Sequence, residues 1–229
     1  MRTRLSAMLA AVLLMAGCQG GPDDENVDAS ELQKRLSAAR TTLDDAETVN
    51  ISLATKSLPD GVTGLLSATG QGNHTPAFKG VVKVVTGGST LSADVVSAEG
   101  TLKAKTSFSP VYLKIDPATL KAPDPAALID AESGITQILD ETKNLKGGTK
   151  SRDGSEVLTT VTGTLPGSVV RTIIPSADSS ATFDARYRLT DDDELRDATL
   201  KGPFYPEGGD VTYTVKLTTS DQPVTIKVP

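Results

Sequence analysis

Between Thr48 and Ile115 the chain holds several runs in which apolar residues recur at every second position, and the same period returns in the last third. Val49, Ile51 and Leu53 alternate with Asn50, Ser52 and Ala54; Phe78, Val82 and Val84 with Lys79 and Lys83; Leu91, Ala93 and Val95 with Ser92 and Asp94. Leu102 and Ala104 against Lys103 and Lys105, then Val111, Leu113 and Ile115 against Tyr112 and Lys114, continue the pattern. Successive side chains of a strand point to opposite faces, so these segments predict antiparallel strands with one dry and one wet face. Gly and Pro between the runs mark the turns. Strands resume at Val157, Thr159 and Val161 after an Arg152-Asp153-Gly154 turn. The end of the chain reads as a four-strand meander: Phe183 to Leu189, Leu195 to Lys201, Val211 to Leu217, and Val224 to Val228.

Two segments break the period. From Asp28 to about Ala46, Leu32, Leu36, Ala39 and Leu43 fall on one stripe of a 3.6-residue repeat, with Glu31 three residues after Asp28 as a start signal. This predicts an amphipathic helix packed on the sheet. In the middle, Leu128, Ile129, Ile135, Ile138 and Leu139 suit helical spacing, interrupted at Ser133-Gly134, and a short apolar helix or turn is expected around Val169 to Ile174.

The fold class is therefore α+β, a large curved antiparallel sheet with helices gathered on one face. Two or three helical stripes do not fill the inner face of so large a sheet, and an incompletely filled inner face is a cavity. Aromatic residues are 3% of the chain and Trp is absent, so the walls are aliphatic and suit an aliphatic ligand. The side chains placed on those walls are Val82, Val84, Leu91, Val95, Leu113 and Ile115 from the sheet, with Leu128, Ile129, Ile135, Ile138 and Leu139 from the central segment.

The amino terminus has its own logic. Arg2 and Arg4 precede an apolar run from Leu5 to Met15 that ends in small residues before Cys18, the plan of a secretory signal. The run is too short to cross a bilayer core, which needs roughly 20 helical residues. Leu14-Met15-Ala16-Gly17-Cys18 resembles the bacterial lipobox, whose Cys is acylated and becomes the new amino terminus; Met15 replaces the usual Leu. Residues 1–17 then form a signal peptide, 18–29 a flexible acidic tether behind lipidated Cys18, and 30–229 a single domain. The expected location is the cell membrane, lipid-anchored on the extracytoplasmic face.

Charge and rare residues exclude other classes. A formal charge of −6 without a basic cluster argues against nucleic-acid partners. A single Cys and a single His leave no disulfide framework, no CxxC site and little triad chemistry. His74 sits in a turn-like stretch and reads as an exposed residue, Gly70-Gln71-Gly72 opens no helix, and Asp191 to Glu194 lacks the Gly and distal Glu of a calcium loop, so a solvated hairpin turn is the simpler reading. No catalytic residue, metal site or cofactor is assigned, and the chain is read as a monomer and not an enzyme.

The lipobox, the helix, the long meander, the central segment near Asp124-Pro125 and Gly134, the stretch TKSRDGSEVLTTVTGTLP and the ending VTYTVKLTTSDQPVTIKVP together resemble the actinobacterial LppX/LprA/LprF/LprG lipoproteins over residues 18–229. That family is similar in shape to the LolA/LolB carriers. The resemblance implies a half-barrel sheet over helices around a hydrophobic cavity, binding and transfer of acylated lipids or glycolipids, and a membrane transporter as partner. The low aromatic content departs from the family pattern. The alternative is an anchored interaction module with a filled core, holding or regulating an envelope partner.

Overall fold

The computed structural model describes residues 27–120, 122–205 and 208–229; the leader, Cys18 and most of the tether lie outside them. The chain opens with helix α1 (Ala29–Asp44), whose first turn is capped by the Asp28 carboxylate accepting from Ser30 N at 2.8 Å. Its predicted stripe is its buried face: Leu32, Leu36 and Ala39 are fully buried and Leu43 nearly so. Six strands follow, β1 (Thr48–Thr55), β2 (Gly64–Asn73), β3 (Ala77–Thr86), β4 (Ser89–Ala98), β5 (Thr101–Thr106) and β6 (Ser109–Lys114). Two 3₁₀ turns, Pro117–Leu120 and Ala127–Ile129, lead to the short helix α2 (Gln137–Glu141). Then come β7 (Lys143–Asp153), β8 (Glu156–Pro166), helix α3 (Gly167–Ile173), β9 (Thr182–Leu189), β10 (Leu195–Gly202) and β11 (Val211–Ser220).

All eleven strands join one curved, unclosed antiparallel sheet in the order β6-β5-β4-β3-β2-β1-β11-β10-β9-β8-β7. Within each run, neighbours in sequence are neighbours in space. The seam is β1 on β11, in register from Thr48 opposite Ser220 to Thr55 opposite Tyr213. Tight turns hold the hairpins: Thr86 pairs with Ser89 across Gly87 and Gly88, both at positive φ, which glycine adopts without a steric penalty.

Helices and the central segment cover the inner face. Leu32 of α1 lies 2.5 Å from where a Cβ on Gly147 would stand, so the bare backbone of β7 lets the helix lie close. Arg40 of α1 ties the central segment down, donating from Nη1 to Asp140 at 2.6 Å and from Nη2 to the Ala131 carbonyl at 3.3 Å. Arg35 of the same helix donates to Asp193, so the acidic β9–β10 turn is anchored on α1.

The strand expected over Val224 to Val228 does not form, because the ladder ends at Ser220. The tail instead turns onto the outer face. Thr48 Oγ1 donates to the Gln222 carbonyl at 2.6 Å, Asn73 Nδ2 to the Val224 carbonyl at 2.9 Å, and Lys103 Nζ to the Pro229 oxygen. Those anchors on β1, β2 and β5 carry the tail across β3 and β4, where the outward-facing Ala77, Val96 and Ala98 are buried apart from the main core. Val224, Ile226 and Val228, each half-buried, alternate because they grip a sheet face, without ladder hydrogen bonds of their own.

Candidate functional site

The two halves of the inner face are filled differently. Over β9 to β11, Phe183, Tyr187 and Phe204 are fully buried, and Phe204 packs edge-on against both Phe183 and Tyr213 with ring centroids 4.9 Å apart. The tyrosine hydroxyls find partners: Tyr187 meets Thr142 Oγ1 at 2.7 Å, while Leu65 N donates to Tyr205 (3.2 Å), whose hydroxyl lies 2.9 Å from that of Tyr213. Burial raises the pKa of Tyr187 and Tyr213 well above the usual phenol value, so both remain neutral donors. The remaining void under this half is about 20 Å³.

Over β2 to β5 the one inward ring is Phe78, which lies over Gly70 and Gly80 and does not line the space that remains. Here lies an apolar void of about 100 Å³, walled by Leu65 and Ala68 of β2, Val82 and Val84 of β3, Leu91, Ala93 and Val95 of β4, Leu102, Ala104 and Thr106 of β5, and Ile115. Its roof is Pro117, Ala122, Pro123, Pro125 and Leu128. Proline has no N–H, so a roof rich in it presents few unpaired donors to an apolar space. Thr106 is the one polar side chain in the lining. Such a surface accepts hydrocarbon and offers no nucleophile, base or metal ligand. The void is well below the roughly 300–1,000 Å³ of sites that enclose a drug-sized molecule, so a long chain enters only if the walls move apart.

Beyond Ala122, which both spaces share, an open hollow of about 800 Å³ is lined by Asp60, Thr63, Thr86, Thr119, Arg171 and Ser176. The Ser176 hydroxyl is buried there without a hydrogen-bond partner. A third hollow, about 660 Å³, lies on the outer face among Asn50, Ser52, Gln71, Lys79 and Lys216. It is larger than the apolar void, yet its outward polar side chains leave it a wet surface without the apolar enclosure a lipid chain needs.

Of the side chains placed on the cavity from sequence, Val82, Val84, Leu91, Val95, Ile115 and Leu128 stand together on the void. Ile135 faces the smaller void under α3. Ile138 and Leu139 are packed solid in α2, and Ile129 fills the space over Gly72, where a Cβ would meet its Cδ1 at 2.2 Å. Leu113 is 51% exposed on the edge strand. Sequence reasoning passed over Leu102 and Ala104, which carry the same alternation as Val84 and Val95, and over the roof prolines. His74, read as exposed, is half-buried, with Nδ1 2.8 Å from the Ile129 carbonyl and Nε2 2.9 Å from the Leu43 carbonyl; it clasps the central segment to the end of α1. A neutral ring has one N–H and satisfies one of these oxygens at a time.

No helix among the described residues is long and apolar enough to cross a membrane. No curated protein sequence matches the chain. Among solved structures, LprF from Mycobacterium bovis is similar at a TM-score of 0.70 and 17% identity, over 88% of this chain and 98% of its own. LppX from Mycobacterium tuberculosis is similar at a TM-score of 0.63 and 17% identity, over 87% of this chain and 100% of its own. At these identities the likeness establishes the fold alone: the same open antiparallel sheet with few helices. A LolA superfamily protein from Nitrosomonas europaea, at a TM-score of 0.30 and 10% identity over 84% of this chain and 94% of its own, is too distant to bear on it. The family model of the LppX_LprAFG lipoproteins matches residues 28–228, from the cap of α1 to the tail on the outer face, and the chain belongs to that family.

Proposed function

We propose that the protein is a membrane-anchored envelope lipoprotein that binds acylated lipids or glycolipids on its inner face and carries them across the cell envelope. Residues 1–17 are the leader, Cys18 bears the anchor, 18–29 are the tether, and 30–229 bind the lipid on the extracytoplasmic side, beside a membrane transporter. The observation that carries the reading is the aliphatic void under β2 to β5 with Thr106 as its one polar side chain. The adjoining hollow supports it: Arg171, Asp60 and the unpartnered Ser176 hydroxyl suit a polar headgroup whose chains lie past Ala122. No reaction is ascribed to the protein.

The experiment is mass spectrometry of organic extracts from the unacylated protein beginning at Gln19. Lipid at near-unit stoichiometry, reduced in Val84→Trp and Val95→Trp, is the expected result. The modest size of the void, about 100 Å³, favours one other reading, an anchored module with a nearly filled core that holds an envelope partner. Absence of co-purified lipid, with no uptake from added lipid, would leave that reading standing.

A further inference from the structure

The edge of the sheet beside the void is unusually apolar for a surface. Phe108, at the β5–β6 turn, is 87% exposed, and Val111 and Leu113 on β6 are 60% and 51% exposed. Leu113 pairs with Ala104, a wall of the void, so Leu113 and Val111 share the inner side of the sheet and form a lip at its rim. Natural edge strands are usually protected by charge, covering or twist, and three large apolar side chains left in water on one edge mark a contact surface.

The other side of the same edge is basic, a cluster not expected from sequence because its lysines come together only across paired strands. Residues 77–114 hold five lysines against Asp94 and Glu99, in a chain whose net charge is −6. Lys79, Lys83, Lys103, Lys105 and Lys114 all project from the outer face of β3 to β6, and Lys103 stands directly opposite Lys114 in the ladder. Like charges in that position repel and weaken a strand pair unless an anion lies over them. Lys105 meets Asp94 at 3.7 Å and lies over the Tyr112 ring, and Lys103 reaches the Pro229 oxygen. Lys79, Lys83 and Lys114 make no ion pair among the described residues.

We infer that the β5–β6 edge is a docking surface for an anionic lipid bilayer: Phe108, Val111 and Leu113 enter the interface and the lysines behind them meet the headgroups. The charge pattern decides among occupants. A second copy would set these lysines against their own duplicates, and a neutral apolar partner would leave them unanswered, whereas an anionic surface satisfies both features. An apolar side chain on the rim with a lysine stem beside it is the arrangement in which the ring is buried and the ammonium remains at headgroup level. The inference does not require a lipid in the void. Where the proposed function holds, docking here also brings the rim of the void against the membrane that supplies or receives the ligand.

The test is sedimentation with vesicles, using the chain from Gln19 onward so that neither leader nor anchor contributes. That part holds every described element. Vesicles of phosphatidylcholine with phosphatidylglycerol should pull the protein down at low salt, and phosphatidylcholine alone should not. Phe108→Ser should weaken binding about tenfold or more, and each of Lys79→Gln, Lys83→Gln and Lys114→Gln about fivefold, with no loss of melting temperature since all four side chains are exposed and Lys114→Gln relieves the repulsion with Lys103. Indifference of the wild type to anionic vesicles overturns the inference. So does binding that survives both Phe108→Ser and the triple lysine replacement, or a concentration-dependent dimer that Phe108→Ser dissolves. Co-purified lipid, measured on the same variants, should be unaffected; its absence with intact vesicle binding counts against the carrier reading and leaves the docking surface in place.

Discussion

The two halves of this sheet share an antiparallel ladder and an inner face of Val, Leu and Ala, and they differ in where the rings are. Of four Phe and four Tyr, five lie between Phe183 and Tyr213 in the chain: four crowd under β9 to β11, where a void of about 20 Å³ remains, and Tyr205 reaches Gly64 and Leu65 of β2. In the other half only Phe78 points inward, and a void of about 100 Å³ remains. The position of a cavity in an aromatic-poor chain is thus decided by where its few rings are placed. Phe78 also shows the cost of placing one: Gly70 and Gly80 lie under it, and a Cβ on either would come within 2.7 Å of its Cζ.

That contrast is most severely challenged by Phe204→Ala, which removes the ring joining Phe183 to Tyr213. A loss of about 3–5 kcal/mol in urea denaturation is expected, and a loss below about 1 kcal/mol would show that the rings do not hold the closed half together. Next come insertions. Ala198→Leu, beneath Tyr187 on β10, should overpack and cost about 1–3 kcal/mol, whereas Val84→Trp projects into existing space and should leave the lipid-free melting temperature near wild type. Equal destabilisation by both would mean that the void is not usable room.

The tail sharpens the comparison from outside, since it backs the open half alone. Ending the chain at Pro223 should cost about 1–2 kcal/mol from exposing Ala77, Val96 and Ala98, and hydrogen exchange should accelerate in β3 to β5 while β8 to β10 stay protected. Uniform acceleration would contradict a local role. The smallest effect is acid. Ser133, through its hydroxyl and backbone N–H, and the Glu132 N–H hold the Asp130 carboxyl below its ordinary value. Its contribution is therefore complete above about pH 4 and lost as pH falls through the lowered value. Asp130→Asn should flatten the fall of melting temperature with acid only slightly, because the group is largely solvated.

Sequence periodicity located most strands and the stripe of α1, but it failed where physics removes the apolar signal. Strand β2 was invisible because Gly70 and Gly72 occupy its inward positions, made small by Phe78 and Ile129 above them. Strand β7 is an edge strand whose sequence, KNLKGGTKSRD, offers Leu145 as its one large apolar residue, and glycines where α1 presses close. The tail erred in the other direction: Val224, Ile226 and Val228 alternate for contact with a sheet face, and alternation alone does not reveal whether the backbone is paired. Half of the cavity wall was legible for the same reason that the strands were. The roof was not, because proline spacing carries no periodic signal and its contacts form across the sequence.

The seam between β1 and β11 sets the order in which this fold can be completed. Each run of strands zips by local hairpins, yet Thr48 finds Ser220 only when nearly the whole chain is present. Closing so long a loop is slow compared with forming a hairpin. A chain delivered amino end first therefore passes through a stage with an unpartnered β1 edge, on which no tail is yet anchored. Each half-sheet can pair locally, but only β11 joins the two into the single curved sheet, and a chain stopped before Val211 lacks that strand.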